Sequence, residues 1–134
     1  MWSTGAMIEP SELSPEADAF LAERHLGTLS TVRVDGTLHV CAVGFTWDPD
    51  AHIVRAITGD GSQKVRNVER GGRAAVGQVD GGRWLSLEGP ARVTRDPEEI
   101  AEAVARYTAR YQEPRVNPQR VAIEIRVERI LGRA

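Results

Sequence analysis

The sequence predicts a mainly β domain with flanking helices (α+β), in which six antiparallel strands curl into a small closed or partly closed barrel. Three observations predict it. Six β-rich stretches, several with apolar residues at a period of two, are separated by Gly, Asp and Pro. Two of the separating turns, Asp35-Gly36 and Asp80-Gly81-Gly82, are of the kind that closes a β-hairpin. Helices do not alternate with strands in the rhythm that builds a parallel sheet.

Taken in order, 1–12 is expected to be a disordered or extended segment, and 13–134 a single domain. Ser14-Pro15 opens a helix, with Ser as N-cap and Pro at the first helical position. Ala17, Phe20 and Leu21 form its apolar stripe, and Gly27 is its expected stop. Strands follow over 28–34, 37–47 and 52–58. Gly59-Asp60-Gly61 breaks the pattern, and Ser62 begins a short helix that ends at Gly71-Gly72. Strands over 73–79 and 83–94 form the second hairpin. Asp96-Pro97-Glu98-Glu99 starts another helix, in which Ile100, Ala103, Val104, Tyr107 and Tyr111 recur at helical spacing. The last strand covers 119–129, where Val121, Ile123, Ile125 and Val127 alternate with more polar neighbours.

The 134 residues, 41% of them hydrophobic, suit one soluble domain. No apolar run approaches the length of a membrane span, and the N-terminus has neither the basic segment nor the apolar stretch of a secretory leader. Net charge is −2, so the basic footprint of a nucleic-acid or membrane-surface protein is missing. The single cysteine, Cys41, excludes an internal disulfide and a cysteine-cluster metal site, and a cytoplasmic location is the expectation. Of 17 basic residues only Lys64 is a lysine, and lysine is a compact point charge that binds phosphate well.

The stretch most suggestive of chemistry runs Arg55…Thr58-Gly59-Asp60-Gly61-Ser62-Gln63-Lys64…Asn67. A strand ends, two glycines follow and a helix begins. Helix N-termini present free N–H groups and the positive end of a dipole, so they attract phosphate. Arg55, Thr58, Ser62 and Lys64 could add donors and charge. The competing reading makes Ser62 a plain cap and Lys64 a solvated side chain. Trp84 either covers a flat ring or fills the core, with the core favoured. Tyr107, Arg110, Tyr111, Arg115 and Arg120 can receive an anionic or planar ligand, or can form a solvated helix face.

Other schemes fit poorly. His25, His39 and His52 lack zinc-ligand spacing, and no metal is expected. His25 suits a helix C-terminus, His39 could line a pocket, and His52 is expected to be exposed near a turn. There is no G-x-S-x-G elbow, and Cys41 reads as a small buried hydrophobe. A phosphate cradle without an acid–base–nucleophile set indicates that a cofactor carries the chemistry.

The same residues resemble the pyridoxamine 5′-phosphate oxidase-like superfamily of FMN-binding split-barrel type, and within it the actinobacterial branch that uses the deazaflavin coenzyme F420. The resemblance spans about 13–132. It is carried by Phe20-Leu21-Ala22-Glu23-Arg24-His25-Leu26, His39-Val40-Cys41-Ala42-Val43-Gly44-Phe45-Thr46, Gly61-Ser62-Gln63-Lys64, Val79-Asp80-Gly81-Gly82-Arg83-Trp84-Leu85-Ser86-Leu87-Glu88-Gly89 and Arg106-Tyr107 onward. It implies a homodimer of split barrels with two cofactor sites at the interface. Arg55, Thr58, Ser62, Gln63 and Lys64 would meet the cofactor phosphate, within a motif that extends to Asn67. His39, Val40, Cys41, Ala42 and Val43 would run beside the ring, and Gln78 and Trp84 would approach from the partner or the adjoining wall. Arg110 and Arg115 are candidates for the cofactor tail or for substrate carboxylates. The implied reaction is hydride transfer from reduced F420 to a conjugated acceptor, foremost biliverdin to bilirubin. No side chain marks itself as the proton donor. An FMN-dependent oxidase or reductase of the same fold, or a non-catalytic F420 carrier, would use the same site. Haem binding lacks a matched His or Cys ligand set.

Overall fold

A computed structural model describes residues 6–134. The elements are β1 (Ala6–Ile8), α1 (Pro15–Ala22), β2 (Gly27–Val32), β3 (Leu38–Val43), β4 (Phe45–Asp48), β5 (Ile53–Gly59), α2 (Gln63–Gly71), β6 (Arg73–Asp80), β7 (Arg83–Thr94), α3 (Pro97–Arg110), β8 (Arg120–Arg126) and β9 (Arg129–Arg133), with a 3-10 turn at Pro10–Glu12. The protein is mainly β with three helices, as the sequence predicts. The described strands number nine rather than six, and they form one open antiparallel sheet instead of a six-stranded barrel.

The hydrogen-bonded path runs β3-β2-β6-β7-β8-β5-β4, with β9 also on β7 and β1 on β9. β7 holds two half-sheets together. Arg83–Pro90 pairs with β6 and Trp84–Glu88 with β9 on the strand's other edge, where Ala91–Thr94 then pairs with β8. Gly89 marks the change of partner. A Cβ there would sit 2.0 Å from the Arg126 carbonyl oxygen, so only glycine admits the crossing backbone.

The three additional strands have physical causes. The run 37–47 breaks at Gly44, where β3 leaves for one half-sheet and β4 joins the other. A Cβ on Gly44 would meet the Tyr107 ring at 2.7 Å. The run 119–129 breaks at Val127, whose N–H donates to the His52 carbonyl at 2.9 Å, so the chain changes half-sheets there too. β1 is three residues long, too short to show a period. It occupies part of the segment expected to be disordered or extended; residues 1–5 lie outside the described residues.

Helix signals behave as expected at two starts. The Ser14 hydroxyl accepts from the Ala17 N–H at 3.0 Å, and the Asp96 carboxylate accepts from the Glu98 N–H at 2.9 Å. α1, however, ends at Ala22, before Gly27. Gly27 instead opens β2, where a Cβ would lie 2.5 Å from the Phe45 ring. The core between the half-sheets is built from Phe20, Leu21, Leu29, Phe45, Val54, Val65, Leu85, Leu87, Ile123 and Ile125. Among the described residues no helix is long and apolar enough to cross a membrane.

Candidate cofactor site

A cavity of about 440 Å³ opens where β3, β5, the first turn of α2 and the end of α3 meet. Ala42, Val43, Thr58, Lys64 and Arg115 all line it, so five of the sequence candidates converge. Tyr107 and Arg120 complete the wall. Three cations against one carboxylate, Glu113, give this cavity a positive rim.

The local sequence explains the cradle. Gly61, at φ +80°, turns the chain from β5 into α2, and Ser62 is the N-cap with extended backbone. The Arg66 N–H is the first to bond back into the helix, to the Ser62 carbonyl at 3.1 Å. The N–H groups before it belong to the unsatisfied first turn. The Ser62 hydroxyl makes no cap bond. Its Oγ is buried and has no hydrogen-bond partner among the described residues. A buried orphan hydroxyl is uncommon in folded proteins, and an anion in the cradle would satisfy it. The residues present therefore fit a phosphate-bearing cofactor.

Two other candidates hold α2 in place. Asn67, 1% exposed, donates through Nδ2 to Thr31 Oγ1 at 3.0 Å and accepts from Gln63 Nε2 at 2.7 Å. This chain ties the helix to β2. His39 stands opposite Thr31 in the β2–β3 ladder, and its Nδ1 is also buried and unpartnered. Cys41 packs against the core edge, as a small hydrophobe would. Val40 points to the other side of β3 and is 58% exposed.

Four candidates lie away from the cradle. Arg55 pairs with Asp48 at 3.0 Å, and Glu124 is 3.8 Å away, so a strand-to-strand ion pair occupies its guanidinium. The hydrogen bonds to the Asp48 carboxylate outweigh its burial and hold it below the usual range. Gln78, 1% exposed, donates to the Phe20 carbonyl at 2.8 Å. Arg110 donates to the Glu23 carbonyl at 2.7 Å, the Phe45 carbonyl at 2.5 Å and Gln78 Oε1 at 2.5 Å. It also lies over the Phe45 ring at 4.6 Å. Burial pushes its guanidinium below the usual arginine range. Arg110 thus clamps α3 to α1, β4 and β6, with its donors turned into the fold. Trp84 does not fill the core: Leu85 and Leu87 take the inner face of β7, and Trp84 lies on the outer face opposite Val79. His52 is half-buried, at φ +59° with its ring stacked 6.0 Å from Trp47, rather than fully exposed.

The sequence reading named Tyr107 as a possible ligand contact but missed that Gly44 makes room for its ring. A glycine inside a β-rich run is itself a signal of close backbone approach. Glu23, His25 and Asp80 come within 4.8 Å of one another, but Arg83 already pairs with both carboxylates at 2.7 Å.

Fold and cavity together define an antiparallel β-protein with a cationic cleft at the junction of two half-sheets. Residues 13–134 match the pyridoxamine 5′-phosphate oxidase family, and the chain belongs to that family. It is 55% identical over 130 residues to the F420H2-dependent biliverdin reductase of Mycobacterium tuberculosis, covering 96% of this chain and 95% of that one. A solved F420 reductase aligns with TM-score 0.70 at 29% identity, over 84% of this chain and 94% of that one. A conserved hypothetical protein of Mycobacterium tuberculosis shares the fold with TM-score 0.78 at 23% identity, over 98% of this chain and 88% of its own.

Proposed function

We propose that this protein is an F420H2-dependent reductase that converts biliverdin to bilirubin and works as a homodimer. The observation that carries the reading is Lys64 in the first turn of α2, on a cavity wall with Arg115 and Arg120; the buried, unpartnered Ser62 hydroxyl lies at the cap of the same helix. The extensive identity to a reductase of that name supports both coenzyme and substrate.

In this reading the first-turn N–H groups of α2, Ser62 and Lys64 hold the coenzyme phosphate, with Thr58 at the cavity wall. Ala42, Val43 and Gly44 form the floor for the ring, and Tyr107 is the wall beyond it. Arg115 and Arg120 face the acidic tail. Reduced F420, when bound, would supply a hydride to the central methine carbon of the acceptor, and one proton would go to a ring nitrogen conjugated with it. The chain's own contribution is to fix the reacting partners and exclude competing geometries.

The dimer reading rests on the outer face of the β3-β2-β6-β7 half-sheet. Val32 faces Leu38 across β2 and β3, and Val79 faces Trp84 across β6 and β7. Leu38 is 69% and Val79 72% exposed, and small residues Ser30, Ala75, Gly77 and Ser86 fill the rows between. A second copy would cover this apolar face.

The test mixes protein, F420H2 and biliverdin without oxygen and follows both chromophores. Matched appearance of oxidised F420 and bilirubin is expected. Saturable F420 binding without turnover would remove the substrate, and no binding would move FMN into the site.

A further inference from the structure

A second hollow of about 310 Å³ adjoins the cofactor cavity and shares Tyr107 and Gln112 with it. Its other walls are Arg24, His25, Leu26 and Tyr111. Tyr107 therefore stands between two contiguous spaces. Its ring is held 4.9 Å from that of Tyr111, and its hydroxyl makes no hydrogen bond among the described residues. Gly44 leaves the room for both rings, since a Cβ there would lie 2.7 Å from Tyr107 and 3.2 Å from Tyr111.

The walls of this hollow are fixed in advance. The Tyr111 hydroxyl donates to the His25 carbonyl at 2.6 Å and accepts from the Phe45 N–H at 3.2 Å. The His25 ring is held by Glu23 at 3.0 Å through Nε2. Leu26 is 64% exposed, an apolar side chain left at the mouth. Arg24 is exposed and has no ion-pair or hydrogen-bond partner among the described residues, unlike nearby Arg83 and Arg110. Tyrosine faces and a leucine suit a planar conjugated system, and a free guanidinium fork suits a carboxylate.

We propose that this hollow anchors the acceptor: Arg24 holds a carboxylate of a planar, conjugated acceptor whose reacting carbon reaches past Tyr107 to the coenzyme in the adjoining cavity. The proposal rests on the reductase reading and names the substrate subsite within it. Coenzyme charge is met at the opposite end, by Lys64, Arg115 and Arg120. The two cavities join beside Tyr107 and Gln112, where acceptor and coenzyme would come into direct contact.

The experiment measures binding of biliverdin and of its dimethyl ester by absorbance titration, with and without F420, for the wild type, Arg24→Gln and Arg24→Lys. Steady-state reduction is measured alongside. Loss of one charge-assisted pair predicts an affinity for biliverdin about 10- to 100-fold weaker in Arg24→Gln. Arg24→Lys should recover part of it, the ester should be insensitive to both changes, and F420 affinity should be unaltered. The exposed Arg126→Gln serves as the charge control and should leave every value unchanged. Equal biliverdin affinity in wild type and Arg24→Gln, with turnover intact, would overturn the proposal and leave the reductase reading standing. A fall in F420 affinity in Arg24→Gln would also overturn it, by assigning Arg24 to the coenzyme. Absence of biliverdin binding and reduction in the wild type would remove the reductase reading and this inference together.

Discussion

Replacing Arg110 by Met separates the structural and ligand-binding accounts of that arginine. The substitution keeps a long apolar stem beside Phe45 and Tyr111, but removes every donor. The Phe45 carbonyl loses Arg110 without replacement, because the Tyr111 hydroxyl 3.1 Å away has one proton and already donates it to the His25 carbonyl at 2.6 Å. The Glu23 carbonyl and Gln78 Oε1 lose Arg110, and Gln78 is 1% exposed, so water does not reach it freely. A buried polar group left unsatisfied costs about 1–3 kcal/mol. Three such groups, offset by no longer desolvating a guanidinium, give an expected loss of roughly 3 kcal/mol. Urea unfolding followed by tryptophan fluorescence reads this directly. With a slope of about 1.5–2 kcal/mol/M, the midpoint should fall by about 1.5–2 M at unchanged slope. Arg115→Ala, on the exposed cavity rim, should shift stability by less than about 0.5 kcal/mol. An unchanged midpoint for Arg110→Met, together with a tenfold loss of F420 or biliverdin affinity, would refute the clamp and restore Arg110 to the ligand site.

Lys64→Ala should weaken F420 binding by about 1.5–3 kcal/mol, the range for hydrogen bonds to charged groups, as read by fluorescence titration. Ser62→Ala should also weaken it while the melting temperature stays nearly constant, because the hydroxyl caps nothing. Gly89→Ala should cost about 3 kcal/mol or abolish soluble folding, since its Cβ overlaps the Arg126 carbonyl; Gly71→Ala, whose Cβ meets nothing within 4 Å, should be neutral or mildly stabilising by thermal melt. Arg83, and then His25, hold the Glu23 carboxyl down to about 2 from an ordinary 4.5. A group whose pKa is depressed by folding stabilises the fold above its unfolded value and ceases to do so as pH falls through the folded one. Melting temperature should therefore decline between pH 4.5 and 2, and Glu23→Gln should flatten that part of the profile.

Local signals announced the hairpins, the Ser14 and Asp96 caps and the β5–α2 turn, because each is settled by neighbouring residues. Strand breaks at Gly44 and Val127 were not legible, because what ends those strands is a change of partner far along the chain. The same distance hid the fate of the arginines. Nothing near Arg55 or Arg110 in sequence reveals that Asp48 sits across the β4–β5 hairpin, or that Gln78 and the end of α1 surround the Arg110 guanidinium. Sequence spacing shows which residues could meet an anion, and tertiary pairing removes those already engaged. Lys64 and Arg115 stayed at the cavity because no carboxylate of the described fold captures them. Trp84 was misjudged in isolation because a large aromatic on a strand reads the same on either face.

Lys64 lines the cavity at the start of α2 and is the sole lysine side chain in the sequence. Amine-directed reagents thus find one side-chain target, placed where the coenzyme would bind. A fluorophore or reversible aldehyde attached there would report occupancy without engineering, and lysine-specific proteolysis has one peptide bond to cut, between Lys64 and Val65. Bound coenzyme would protect both the amine and that bond, so a single mass measurement could register the ligand.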